Sequence, residues 1–471
     1  MRKTKIVCTI GPASQSEEML TKLCKAGMNV ARLNFSHGSH EEHQKKIDAI
    51  KKVREELQLP IAIMLDTKGP EFRIKTFAEG KVTLQDGDPF TFTTEDVPGD
   101  EHRVSVTYAG LPRDLAPGDT ILLNNGLLNF RVDRIEGSEI HCTTVEGGVL
   151  SDRKSMSFPG KILSQPYLSQ QDRDDMLFGI RNGVEYIACS FVSCAKDLEA
   201  VHTFLKENGG EDIALIAKIE NQPGIDNIEE ISQYCEGIMI GRGDMGVEIP
   251  YEEVPAVQKQ LITKCRLLGK RVITATEMLE SMISNPRPTR AEISDVANAV
   301  YDGTSAVMLS GETAVGKYPV QTVAAMARIT EHTESNINYT KRFYSSQFQI
   351  HNIVDSISHA TCGMAIDIDA KAIAACSISG MTIRMISRFR PPVDIVGITT
   401  DKRTWYKLAL SWGVTPVMCE ELPSTEVLFY TAKKLAKDVM GLTSGDRIVI
   451  TGGSTNGRSG NTNLIKIEQY Q

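Results

Sequence analysis

The chain has 471 residues, 41% of them hydrophobic, with 60 acidic against 52 basic side chains and a formal net charge of −8. At roughly 100–200 residues per domain, this length implies several domains, each able to bury a core. A mildly acidic chain without a Lys/Arg cluster argues against nucleic acid or an anionic membrane as partner, so any phosphate chemistry must be focused inside a cleft.

The N-terminus, MRKTKIVCTIGP, runs straight into a strand-like segment without a long apolar leader. No stretch of about 18 apolar residues follows, and the chain is expected to be cytoplasmic. The ten cysteines are scattered and form no CxxC pair. They are expected to be small buried hydrophobes in a reducing compartment rather than disulfides or zinc ligands.

Short apolar, β-branched runs at 5–12, 29–36, 61–70, 186–193, 214–220, 238–244, 271–278 and 306–313 each end in a polar or Gly-containing turn followed by a helical stretch. Near-continuous apolar strands alternating with helices predict a parallel sheet covered on both faces. Eight such units predict a (β/α)8 TIM barrel, with chemistry at the C-terminal ends of its strands. Those ends carry Ser36-His37, Asp66-Thr67-Lys68, Lys218-Ile219-Glu220, Arg242-Gly243-Asp244, Thr276-Glu277 and Ser310-Gly311-Glu312. Helix or strand capping explains one or two polar strand ends but not this many in register.

Between the third and fourth runs the spacing breaks. Alternating strands at 81–84, 90–93, 104–108, 120–123, 130–135 and 139–145, with Gly/Asp turns, predict a small β-barrel-like domain inserted as a lid at the catalytic end. After about residue 338, strands at 371–377, 394–399, 415–419, 447–451 and 463–467 separated by helices predict an open α/β sheet. A helix at 402–413 would carry both tryptophans, Trp405 and Trp412, as packing residues. The expected division is 1–70 and 161–338 for the barrel, 71–160 for the lid, and 339–471 for the C-terminal domain.

Lys218 and Glu220 lie two apart on one strand and face the same side. Taken alone they read better as a structural ion pair, and the case for chemistry comes from their conjunction with other residues. Asp244 ends the next strand, and with Glu220 it forms a two-carboxylate set that leaves most of a Mg²⁺ shell to phosphate oxygens and water. Arg32, ending the second strand, offers a guanidinium fork for a phosphoryl group. Gly241, Gly243 and Gly246 match a dinucleotide-type spacing only by overlap. A glycine turn with amides exposed at a following helix start fits a carboxylate better.

The segments TKIVCTIGPAS, NVARLNFSHG, LDTKGPEFR, KIEN, GRGDMGVEIP, VMLSGETAVGKYP and the long run at 273–303 closely resemble the pyruvate kinase family. The resemblance implies transfer of the phosphoryl group of phosphoenolpyruvate to ADP, giving pyruvate and ATP. It implies Lys218 as the lysine stabilising the phosphoryl group and the enolate, and Arg32 as the phosphate-binding arginine. Thr276 would stand beside the substrate's carboxylate and methylene end, and Gly243 and Asp244 would offer backbone N–H groups to that carboxylate. Glu220 and Asp244 match the ligands of Mg²⁺ or Mn²⁺. Asn34, Ser36, Asp66 and Thr67 match a K⁺ site, and Glu71 matches the glutamate of K⁺-dependent relatives. Pro12, Asn34, His37, Arg73 and Lys154 fall at nucleotide-contacting positions.

A C-terminal effector loop for a sugar phosphate or nucleotide is implied at Ser377, Ser379, Gly380 and Thr382, with Arg458, and so is a homotetramer. The chain departs from the family pattern at Gly241, where Ala is usual, at Glu277 for Gln, and at Ser305 for Asp. Asn124-Asn125 replaces an acidic pair before Gly126.

Overall fold

A computed structural model describes residues 1–453, 460 and 462–471. Eight parallel strands form a closed barrel: β1 (Lys5–Thr9), β2 (Val30–Asn34), β3 (Ala62–Asp66), β4 (Tyr186–Cys189), β5 (Ala214–Ile219), β6 (Gly237–Gly241), β7 (Arg271–Ala275) and β8 (Ala306–Leu309). They follow one another in chain order, and β8 closes on β1. Each strand lies inside or within one residue of an expected run.

The continuous apolar character of these strands has a two-faced cause. Val7, Val30, Met64, Ala188, Ile216, Met239, Ile273 and Met308 fill the barrel interior, while their neighbours Ile6, Leu33, Leu65 and Ile187 pack outward beneath the helices. Successive side chains of a strand point to opposite faces, so both must be apolar when both are covered. The helices are punctuated locally. Ser39/Glu42, Ser169/Asp172 and Thr289/Glu292 form reciprocal capping boxes at the starts of His40–Glu56, Gln170–Asn182 and Arg290–Asp302. Removing one such cap costs about 1 kcal/mol.

The insert between β3 and β4 is a seven-stranded sheet beginning with Phe72–Arg73 and Ser155–Ser157 and ending with Pro89–Thr93 and Arg103–Ser105. Its two edges meet: Ile74 bridges Val106, and Thr107 N–H donates to the Arg73 carbonyl at 2.9 Å. A separate ribbon pairs Lys81–Leu84 with Gly148–Ser151. The strands 72–73, 148–151 and 155–157 were not expected; two or three residues are too few to show a period, and 148–151 begins at a glycine. The turn after Thr120–Leu123 holds Asn124, Asn125 and Gly126 at φ of 53°, 59° and 80°. Asn tolerates this left-handed region better than most residues, which accounts physically for the two asparagines.

The C-terminal sheet has the order Val414–Met418, Asp394–Thr399, Ala372–Cys376, Arg447–Gly453, Thr462–Gln469. Its last strand runs antiparallel to its neighbour. The connection is shorter than the dozen or so residues a parallel crossover needs. The helix expected over 402–413 ends at Lys407, and a 3-10 turn, Leu408–Leu410, follows. Trp412 therefore lies beyond it, buried at 2% exposure. Ala409 and Leu410 join the interior core of the barrel and plug its N-terminal end. Burying a leucine of this kind stabilises by about 1.5–3 kcal/mol.

All ten cysteines are free, and eight of them are buried. No helix among the described residues is long and apolar enough to cross a membrane.

Candidate active site

At the C-terminal end of the barrel, alternate side chains of neighbouring strands converge. Arg32 donates through Nε to Asp66 Oδ2 at 2.6 Å and through Nη1 to Thr9 Oγ1 at 2.9 Å. Arg32 lies mid-strand in β2, not at its end. Lys218 Nζ stands 2.7 Å from Ser190 Oγ, 3.2 Å from Asp66 Oδ1 and 3.1 Å from Glu220 Oε1. Each of its three hydrogens thus has an acceptor, which fixes the ammonium on a tripod.

Burial opposes ionisation of Asp66, yet Arg32 and Lys218 outweigh it and hold the carboxyl below the usual range. Burial also disfavours the charge on Lys218, but Asp66 and Glu220 raise its pKa above the ordinary value. Glu220 behaves differently. Burial pushes it up to about 7; Lys218 pulls it down, Asp244 pushes it further up, and the Phe191 N–H donates to its Oε2 at 2.9 Å.

Gly241 leaves room for this placement. A Cβ there would sit 2.6 Å from Glu220 Oε1 and 2.7 Å from its Cγ, far inside contact distance. The departure from Ala therefore gives Glu220 the room it occupies beside Lys218.

The next segment is strained. β6 ends at Gly241 and a helix, Arg242–Glu248, begins at once, so Asp244 lies in a first helical turn rather than on a strand. After β7, Thr276 and Glu277 take φ of 75° and 55°. Such values are rare for any side chain and exceptional for a β-branched one. Arg242 clamps them. Its Nη2 and Nε donate to the Thr276 carbonyl at 2.5 and 3.2 Å, and its Nη1 donates to both oxygens of Asp295 at 2.8 and 2.7 Å. A Cβ on Gly243 would approach Thr276 Cγ2 to 2.9 Å, so the glycine admits the threonine.

Above this floor lies a cavity of about 280 Å³ between lid and barrel, lined among others by Glu71, Arg73, Asn125, Phe191, Asn221 and Asp244. Glu71 is ion-paired with Arg73, and with Lys68 at 3.3 Å. Glu248 lines the same cavity, and burial pushes its carboxyl up to about 7 against hydrogen bonds from Ser157 and the Phe158 N–H.

Asn34 and Asp66 are register partners on β2 and β3. Asn34 Oδ1 accepts from the Ser36 N–H at 3.1 Å, while the Thr67 hydroxyl is committed to the Ala188 carbonyl at 3.3 Å and accepts from the Ser190 N–H at 3.3 Å. Pro12 and His37 are exposed near these strand ends and do not line the cavity, nor does Lys154, whose carbonyl accepts from the Ile74 N–H at 3.0 Å.

In the C-terminal domain, Gly380 takes φ of 74° at the start of Met381–Arg388, with Ser377 half-buried and Ser379 exposed. Thr382 is turned inward, its hydroxyl 2.5 Å from that of Thr462. Arg458 lies outside the described residues. Sequence reasoning missed Ser190, Phe191 and Arg242 as positioning residues. Only the polar strand-end rule pointed toward Arg242, and nothing in a Phe side chain advertises a useful backbone N–H.

A closed parallel barrel with phosphate-suited cations and carboxylates at its strand ends, under a lid, defines a phosphotransferase. The pyruvate kinase barrel domain matches residues 1–323, and the pyruvate kinase alpha/beta domain matches residues 355–468. A pyruvate kinase of Clostridium acetobutylicum is 43% identical over 470 residues, covering 99% of both chains. One from Staphylococcus epidermidis is 47% identical over 99% of this chain and 80% of its own length. A crystal structure of a pyruvate kinase from Cryptosporidium parvum superposes with a TM-score of 0.95 at 37% identity, covering 100% of this chain and 96% of that one. The chain belongs to the pyruvate kinase family.

Proposed function

We propose that this chain transfers the phosphoryl group of phosphoenolpyruvate to ADP, yielding pyruvate and ATP, the last step of glycolysis, with Lys218 and Arg32 as its central charge-handling residues. The observation that carries the assignment of roles is the Lys218 tripod beside Arg32, at the end of the barrel where (β/α)8 enzymes do their chemistry. Phosphoryl transfer asks the protein chiefly to position groups and neutralise charge.

Lys218 presents a fixed ammonium to the transferring phosphoryl group and then to the enolate oxygen. Arg32 grips the phosphoryl oxygens. Thr276, pinned by Arg242, faces the methylene end, and backbone N–H groups at Gly243 and Asp244 receive the substrate's carboxylate. Arg73 and Lys154 bind the nucleotide's phosphates, with Pro12, Asn34 and His37 near its base and ribose.

The donor set fits a divalent cation. Among the described residues no cluster of three or more metal-ligating side chains occurs, yet Glu220 and Asp244 repel one another, and Glu220 is raised for that reason as well as by burial. Two hard carboxylates suit Mg²⁺ or Mn²⁺ completing its shell from phosphate and water. Bound there, the ion supplies charge neutralisation at the phosphoryl oxygens. Asn34, Ser36, Asp66 and the Thr67 carbonyl offer only oxygen, the donor set of K⁺. A cytoplasmic homotetramer with an effector site at Ser377, Ser379, Gly380, Thr382 and Arg458 completes this reading.

A coupled assay on purified protein tests it. Pyruvate should form only when phosphoenolpyruvate, ADP and Mg²⁺ are all present, and exhaustive EDTA treatment should abolish turnover. Pyruvate formed from phosphoenolpyruvate without ADP would mean transfer to water, a phosphatase rather than a kinase.

A further inference from the structure

At the opposite end of the barrel, where it meets the C-terminal domain, six cations surround one small void: Arg266, Lys270 and Arg271 from the barrel side, and Arg384, Arg388 and Arg390 from the C-terminal domain. Among the described residues, the carboxylates within ion-pair distance of these six are Glu236, which pairs with Arg384 and, at 3.5 Å, with Arg271, and Asp355, 3.0 Å from Arg388. Six positive charges against two negative ones leave an excess of four.

The excess is not dispersed into solvent. Arg266, Arg388 and Arg390 are 7%, 6% and 2% exposed. Five of the guanidinium nitrogens have no hydrogen-bond partner: Arg266 Nε and Nη1, and the Nε atoms of Arg384, Arg388 and Arg390. A buried donor without a partner costs on the order of 1–3 kcal/mol, and more when it is charged. Burial lowers the Arg266 pKa to about 10, which still leaves it charged at neutral pH. Arg390 is held in this company by a left-handed backbone, φ 52°. Its Nη2 donates to Ser305 Oγ at 2.9 Å and to the Gly303 carbonyl at 3.1 Å. Hydroxyls of Ser387 and Ser411 also line the void, adding neutral polar groups and no counter-charge.

We propose that this seam is a binding site for a phosphate-type oxyanion, held jointly by the barrel and the C-terminal domain. Guanidinium forks and hydroxyls are the groups that recognise tetrahedral oxyanions. The void measures about 10 Å³, roughly one water-sized sphere. One water fills it as it stands, so a compact oxyanion enters only as the arginine side chains move apart. A whole nucleotide does not fit. Because its cations come from two domains, the bound anion fastens one to the other.

Trp412 reports on the site, since the Arg390 guanidinium lies 4.7 Å from its ring centroid. In a Trp405→Phe background, Trp412 is the remaining tryptophan of the two in the chain. Titration of the full chain with inorganic phosphate at constant ionic strength should change its fluorescence saturably, whereas chloride should not. Ser305→Asp places a carboxylate beside Arg390 and should weaken the phosphate response at least tenfold. Arg266→Gln, which removes a charge without adding one, should weaken it too and carries the test if Ser305→Asp fails to fold. Glycerol 3-phosphate in place of inorganic phosphate separates a phosphomonoester group from the free ion as the source, and a response to either supports the site. Equal responses to phosphate and chloride, or undiminished binding in folded variants, would overturn it.

Discussion

Asp66 on the floor of the active-site cleft and Glu248 on its lid-side wall are carboxylates shifted in opposite directions. On the floor, Asp66 sits between Arg32 and Lys218 and is held below the ordinary carboxylate range. On the wall, Glu248 meets a hydroxyl and a backbone N–H but no cation, and burial, with repulsion from Asp244, carries it up to about 7. Asp66 is buried and Glu248 half-buried. The difference is that two fixed cations together overcome desolvation at Asp66, whereas neutral dipoles do not at Glu248. The Lys218–Asp66 pair of the floor is therefore charged before any ligand arrives, while Glu248 on the wall, like Glu220 beside the pair, changes charge within the physiological range.

Removing the floor's cation should have the largest effect. Lys218→Met keeps most of the stem and deletes the charge, and loss of one preorganised donor costs about 10²–10³ in rate. Steady-state kinetics should show at least that drop in kcat with thermal unfolding little changed. Near-normal turnover would mean that the tripod serves only to hold the fold.

The rim between floor and wall gives a smaller effect. Glu71 binds both Lys68 and Arg73, so its charge is already partly offset within the protein. Activity should rise strongly with K⁺ and poorly with Na⁺ at constant ionic strength, and Glu71→Lys should lose much of that dependence. Equal rates in K⁺ and in a bulky organic cation would remove the monovalent ion from the account.

The smallest effect is on stability. A carboxyl raised from 4.5 to about 7 keeps a proton in the folded chain that the unfolded chain releases. Stability therefore falls as pH rises through that window and levels off above it. The shift corresponds to on the order of 3 kcal/mol. Tm measured from pH 5 to pH 8 should fall more steeply in the wild type than in Glu248→Gln, and identical slopes would show that Glu248 does not titrate there.

Much of this arrangement was legible in the chain. Strands covered on both faces must be apolar throughout, so eight runs declared a barrel. The two-residue spacing of Lys218 and Glu220 declared a shared face. What was not legible depends on closure in three dimensions. Arg242 reaches Asp295, 53 positions away, and the Phe191 N–H meets Glu220 only because β4 and β5 are neighbours. The lid strands of two or three residues are too short to show periodicity. The glycine turn and following helix start at 241–246 were legible, but the strand was read through to Asp244, which lies in the first helical turn.

The two left-handed residues after β7 bear on how such a protein changes under selection. Each non-glycine residue in that region stores about 1–3 kcal/mol, and Arg242 is the brace that keeps Thr276 there. Glycine at 276 or 277 would relax the backbone and win any screen for thermal endurance, while surrendering the hydroxyl or its aim. Selection for heat resistance and selection for turnover thus pull this short segment in opposite directions. A stabilised lineage that keeps its catalytic speed must find its gains elsewhere in the molecule.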